Sequence, residues 1–150
     1  MSGDNSDTDG DGEFYLRYFQ GTQSNFIEFE LTPSYQLRYA NSSPPSQLIR
    51  RSCTLSNTTV SEFKRIVRES GVMELDDSRW PPPSPTSSRA ELEIKHRNVH
   101  ISFNSPFLTS LSAIGKMEDP EGLGIFFDGC TEVKGFAGSL IRGHFNKRPI

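Results

Sequence analysis

Three histidines, two cysteines and a few paired acids are the side chains in this chain that could do chemistry. None of them falls in a spacing that builds a reactive centre. His96 and His100 bracket a predicted turn at Arg97-Asn98-Val99, and with the distant Cys53 and Cys130 they make no zinc spacing. They are expected to be solvated turn side chains. His144 falls near the end of the last predicted helix, where a protonated ring favours the negative end of the dipole. No serine sits on a Gly-x-Ser-x-Gly elbow, and there is no Gly-x4-Gly-Lys-Ser/Thr phosphate loop. Asp76-Asp77 and the Glu91/Glu93 pair lie in polar surroundings and read as solvated surface, not as a glycosidase pair. Asp7-Thr-Asp-Gly-Asp-Gly12 copies the first half of a calcium loop, but the twelfth position, which needs a bidentate glutamate, is Tyr18. The expectation is therefore a non-enzyme without cofactor or metal.

The chain must position a surface, not a reaction. Its 150 residues, 16 bases, 19 acids and net charge of -3 suit one soluble domain, without a basic field strong enough for direct nucleic-acid binding. Residues 1–12 are small and polar apart from Met1 and carry Asp4, Asp7, Asp9 and Asp11 without a base, which predicts a disordered acidic tail. Residues 13–150 form the domain. No apolar run is long enough for a membrane span, and the start is acidic where a secretory signal is basic then apolar. An intracellular chain is expected, its two cysteines reduced and the sequons at Asn41 and Asn57 chance matches. After Glu132 the chain carries Lys134, Arg142, Lys147 and Arg148 and no acid.

Aromatic-rich or alternating segments at Phe14–Phe19, Phe26–Leu31, Gln36–Ala40 and Gln47–Leu55 predict four strands in an antiparallel meander. In the second, Ile27, Phe29 and Leu31 alternate with Glu28 and Glu30, so one sheet face is buried and the other wet. Thr59-Val-Ser-Glu62 matches a capping box, and Val60, Phe63, Ile66 and Val67 follow at helical spacing up to Gly71, which predicts a helix of about three turns. Trp80-Pro-Pro-Pro83 must be loop. Two more strands are expected at Ala90–Lys95 and His100–Asn104. Ser105-Pro106 then reads as the start of a short helix bearing Leu108, Leu111 and Ile114.

Asp119-Pro120-Glu121 opens the last and longest helix, which runs to about Phe145. Its apolar stripe holds Leu123, Phe126, Phe127, Cys130, Val133, Ala137, Leu140, Ile141 and Phe145; Ile125 and Phe136 fall outside it. The fold class that follows is α+β: a mostly antiparallel sheet of about six strands, with two longer helices and one short helix packed on one face.

Several segments resemble the Mago nashi family: Phe14-Tyr-Leu-Arg-Tyr18, Leu37-Arg-Tyr-Ala-Asn41, Phe63-Lys-Arg-Ile66, Trp80-Pro-Pro-Pro83, Glu91-Leu-Glu-Ile94, His100-Ile-Ser-Phe103, Asp119-Pro-Glu-Gly-Leu123, Ser139-Leu-Ile141, His144-Phe145 and Pro149-Ile150. They stand in the family's order from about residue 13 onward. The resemblance implies a non-enzymatic subunit of the exon junction complex. Such a subunit heterodimerises with an RNA-recognition-motif protein, and the pair clamps a DEAD-box ATPase on spliced mRNA. Export and recycling factors, indirect contact with mRNA, and a nuclear location with shuttling to the cytoplasm follow from the same likeness.

Carried onto this sequence, the resemblance places the partner surface on the exposed sides of the Thr59–Ser70 helix and the final helix. Lys64, Arg65, Arg68, Ile125, Phe136 and Leu140 are its expected members. Lys147, Arg148, Pro149 and Ile150 would reach the ATPase. An acidic tail longer than the family's, a different loop at Ser42-Ser-Pro-Pro45 and the glycines of the last helix set this chain apart. An adaptor of the same form with a changed protein partner and no splicing-linked role stays open beside the leading reading.

Overall fold

The computed structural model describes residues 13–145; the expected tail at 1–12, with its half calcium loop, and the terminal 147–150 lie outside the described residues. Six strands, β1 (Tyr15–Gly21), β2 (Phe26–Leu31), β3 (Gln36–Ser42), β4 (Ile49–Thr54), β5 (Arg89–His96) and β6 (Val99–Pro106), form one antiparallel sheet in the order β4-β3-β2-β1-β5-β6. The helices are α1 (Asn57–Ser70), a short α2 (Leu111–Gly115) and α3 (Pro120–Phe145), with a 3-10 turn at Val72–Glu74 after α1. The α+β class and the meander agree with the sequence pattern.

Register explains the two faces. Leu16 lies between Leu31 and Ile94, Tyr18 between Phe29 and Leu92, and the same side carries Leu37, Ile101 and Phe103. All of these are buried, in one cluster with Val60, Phe63 and Val67 of α1 and with Leu123, Phe126, Cys130, Val133 and Ala137 of α3. Burial pushes the Cys130 thiol well above its ordinary pKa, so it packs as a small apolar group. The opposite face carries charge in matched pairs. Arg17 bridges Glu28 at 2.5 Å and Glu91 at 2.9 Å, and Arg89 joins Glu91 at 2.5 Å. Burial works against the Glu91 charge, but hydrogen bonds from Arg89 and Arg17 outweigh it and hold its pKa below the ordinary value. This face is partly wet, since Arg17, Glu28 and Glu91 keep contact with solvent. Phe19 is buried at its centre, stacked on Phe26 and covered by the guanidiniums of Arg17 and Arg89.

Two local starts differ from the sequence pattern. Helix α1 begins at Asn57, because the Ser56 hydroxyl accepts the Thr59 N–H at 3.1 Å; the cap stands three residues before the predicted capping box and the helix runs nearly four turns. Gly71 closes it at φ 84°, as expected. Ser105-Pro106 does not open a helix. Both residues end β6, where Ser105 is opposite Ala90 and Pro106 opposite Arg89; as β6 is an edge strand, the missing proline N–H costs no ladder bond. Helix α2 starts later, capped by the Ser110 hydroxyl accepting the Ala113 N–H, and it leaves Leu108 outside and Leu111 fully in solvent.

The start of α3 is as the sequence predicts and is tied to the proline loop. Asp119 Oδ1 accepts the Gly122 N–H at 3.1 Å, while its Oδ2 accepts the Trp80 indole N–H at 3.0 Å. Trp80 is buried against Phe103 and Phe126.

The glycines of α3 do two different jobs. A Cβ on Gly129 would come within 2.6 Å of Val72 Cγ1, so this glycine is where α3 approaches the end of α1; Gly124, Gly135 and Gly143 have open space. Alanine at each of the three open sites should therefore add roughly 1 kcal/mol of stability. Gly129→Ala should destabilise, because fully buried Val72 must move. Urea melts of the four single variants check this, and equal gains at all four would contradict it.

Candidate partner-binding surface

Helices α1 and α3 meet along a seam. The Phe63 and Phe136 rings pack edge to face at 4.8 Å, and Gly71 lies close enough to Ile125 that an added Cβ would sit 3.8 Å from its Cγ2. At about 100° per residue, Ile125, Phe136 and Leu140 fall within an arc of roughly 60° on α3. This arc is the flank turned toward α1, and Gly129 shares it. All three side chains are half-buried, one side against the core and the other open. The stripe that sequence assigns to the sheet is thus too broad at two positions. Leu140 belongs to this flank, and Phe145 is 41% exposed, its ring capped by the Arg51 guanidinium at 5.4 Å.

The charged members expected on α1 do not join that row. Lys64 is only 7% exposed, on the far flank of α1 from Phe63, with its ammonium 5.9 Å from the Phe14 ring centroid. Arg68 follows one turn later and is exposed. Arg65 points outward and is held by Glu62 and by Glu69 at 2.7 Å. Its pKa is raised by the hydrogen bond to Glu62, and Glu62 is lowered in return. An exposed pair of this kind contributes little to stability.

The histidines also separate. His96 is 7% exposed, its ring edge against Phe14 at 5.3 Å, so the expected solvated turn position is corrected: its side chain points to the helix-covered face, alternating with exposed Lys95. His100 is exposed, with Nε2 2.8 Å from a Glu93 carboxylate oxygen. His144 sits exposed in the last turn of α3. Among the described residues, no three histidine, cysteine or acidic side chains group as metal ligands.

A second concavity was missed by sequence reasoning. It has a volume of about 380 Å³ and lies between the last turns of α3 and strands β2 to β4, with Phe29, Tyr39, Arg51, Lys134, Arg142 and Phe145 among its walls. The one sequence signal for it is the absence of acids after Glu132, which leaves this end of α3 purely basic.

These surfaces have the form of a binding subunit, and residues 14–150 match the family model described as Mago nashi protein. The chain belongs to the Mago nashi family. A relative, the "Protein mago nashi homolog" of Dictyostelium discoideum, is 39% identical over 144 residues, covering 92% of this chain and 73% of that protein. Members of the Mago nashi family are non-catalytic subunits of protein complexes.

Proposed function

We propose that the chain is a subunit of the exon junction complex that heterodimerises with an RNA-recognition-motif protein through the α1–α3 seam, and that the pair clamps a DEAD-box ATPase on spliced mRNA. The observation that carries this is the row Ile125, Phe136 and Leu140: three large apolar side chains left half-open on the flank of α3 that meets α1 in a Mago nashi chain. The sheet of an RNA-recognition motif displays aromatic side chains that otherwise stack on bases, and such a surface complements an apolar helix seam. Contact with mRNA is then indirect, export and recycling factors are further partners, and the location is nuclear with shuttling to the cytoplasm. Mixing the purified chain with an RNA-recognition-motif partner of the family should give an equimolar complex by calorimetry and gel filtration. No heat and no co-elution at about ten micromolar, well above the Kd of a stable heterodimer, would overturn the reading.

A changed-partner adaptor is the second reading. What favours it is the outer side of α3, where Gly124 and Gly135 offer no side chain to a partner. A tagged copy recovered from its own cells with another protein in equimolar amount, and without the ATPase, would decide for it.

Lys147, Arg148, Pro149 and Ile150 are proposed to contact the ATPase and not the heterodimer partner. Deleting 147–150 should weaken the ternary assembly several-fold and leave the heterodimer unchanged. Salt should weaken the same contact, since exposed charges are screened over about 10 Å at 0.1 M. An unchanged ternary complex would remove the assignment.

A further inference from the structure

The cavity of about 380 Å³ between the last turns of α3 and strands β2 to β4 has all its walls on the helix-covered face of the sheet. Phe29 pairs with Tyr39 and Tyr39 with Arg51, so these three side chains share the face that carries Leu31 and Leu37. From above, Lys134, Gly138, Ile141, Arg142 and Phe145 recur every three or four residues along one stripe of α3. Gly138 sets the depth. A Cβ there would stand 3.2 Å from Arg142 Nη1 and 3.9 Å from Phe29 Cζ, so a large side chain would fill the space that the glycine leaves between helix and sheet.

The charge of this cavity is of one sign. Arg51, Lys134 and Arg142 line it, and no acid does. Lys134 donates to the neutral Gln20 side chain at 3.1 Å, and Arg51 donates to the Arg50 carbonyl at 2.9 Å while its guanidinium covers the Phe145 ring. Glu28 and Glu30 of β2 point to the other face of the sheet, where Arg17 and Arg38 hold them. Glu132 is two residues from Lys134, about 200° around α3. Among the described residues, no carboxylate pairs with these three cations. Apolar surface is open at the same place. Ile49 and Phe145 at the rim are each 41% exposed, and Leu48 beside Ile49 is 46% exposed. β4 is the last strand on this side of the sheet, so one flank of its backbone has no strand beside it.

We propose that this cavity docks an extended acidic segment of a partner protein, laid along the β4 edge, with one large apolar side chain on the floor between Phe29 and Ile141 and carboxylates at Arg142 and Arg51. Cations without acids call for an anion, and the apolar floor and rim call for an apolar anchor beside it. The unpaired edge supplies backbone groups to an extended chain. A nucleic acid fits less well: Phe29 and Tyr39 pack on each other at 5.2 Å and Phe145 lies under Arg51, so ring faces that could stack bases are already used, and the chain carries a net charge of -3. No residue of α1 lines the cavity, so it is separate from the α1–α3 seam and does not depend on what occupies that seam.

Fluorescence anisotropy of the full chain with a labelled peptide, one leucine flanked by two glutamates on each side, tests the docking and needs no other protein. Binding should saturate below about 1 mM at about 0.1 M salt. The same peptide with glycine for leucine should bind about tenfold more weakly, which is what burial of one leucine is worth. Gly138→Leu should fill the cavity and weaken binding about tenfold, with an undiminished urea midpoint because leucine is the better helix former. Arg142→Gln, at an exposed position, should weaken binding several-fold, and so should about 1 M salt, where screening shortens to roughly 3 Å. Amide shifts on adding peptide should gather at 49–51 and 134–145. No saturable binding below about 1 mM, binding unchanged in both variants, or tighter binding of oligouridylate than of the peptide would each overturn the docking. So would a peptide that binds only after residues 147–150 are deleted, since the chain's own end would then be the occupant.

Discussion

Leu140→Arg should weaken heterodimer formation by about 30- to 1000-fold while costing the isolated chain no more than about 1 kcal/mol. Leu140 is half-buried, in the same arc of α3 as Ile125 and Phe136, with one side on the core and the other open. In the free chain the long arginine stem can lie along the seam and keep its head in water. In the complex that route closes, and the guanidinium must be desolvated without a partner, which costs roughly 2 to 4 kcal/mol. Calorimetry on the complex and urea melts of the free variant separate the two quantities. A variant that is unfolded by itself would place Leu140 in the domain core, and a folded variant with unchanged affinity would move the interface away from the seam.

Trp80→Ala should be the most damaging single change for the fold, at about 3 to 5 kcal/mol. The ring packs at 5.2 Å from Phe103 and 5.0 Å from Phe126, so it joins β6 to α3 across the core. Its N–H also orients Asp119, whose other oxygen caps α3 at Gly122. Trp80→Phe keeps most of the packing and removes the hydrogen bond, and should cost about 1 to 2 kcal/mol. The hydrogen bond from Trp80, the Gly122 N–H and Arg79 hold the Asp119 pKa below its ordinary value. Its contribution is therefore fully present above the ordinary carboxyl range near pH 4 and is lost as pH falls through the lower folded value. Without the indole donor that pH-dependent part should shrink, so the stability gap between Trp80→Phe and the parent should narrow below about pH 4. A gap that stays constant down to pH 2 would show that the Asp119 bond contributes nothing.

How much was legible varies by element. Period-two alternation at Ile27, Phe29 and Leu31, and at Leu92 and Ile94, assigned strand faces correctly, because a strand has only two faces and burial of one selects it. The Asp119-Pro120 start was equally plain, since a capping carboxylate followed by a proline at the first helical position satisfies local backbone needs. The capping-box pattern points to Thr59, but the hydroxyl that caps α1 is that of Ser56, three residues earlier, which accepts the Thr59 N–H. Ser105-Pro106 carries the same signature as a helix start, yet pairing with Ala90 and Arg89 across the sheet overrode it.

The sequence by itself determined the α+β class, the α3 span, the core faces of the strands and the Mago nashi resemblance, all of which rest on local periodicity or on ordered motifs. The tertiary structure decided which flank of each helix meets a neighbour. Ile125 and Phe136 fall outside the stripe by spacing alone, and the structure shows what they face: Phe63 of α1 packs on Phe136, and Gly129 of α3 lets the end of α1 come close. Lys64 is buried and His96 leaves solvent because Phe14, far away in the chain, comes between them. Helical spacing gives the angle between side chains but not what stands opposite each one. That is set by residues tens of positions away, whose docking on the sheet no local pattern encodes.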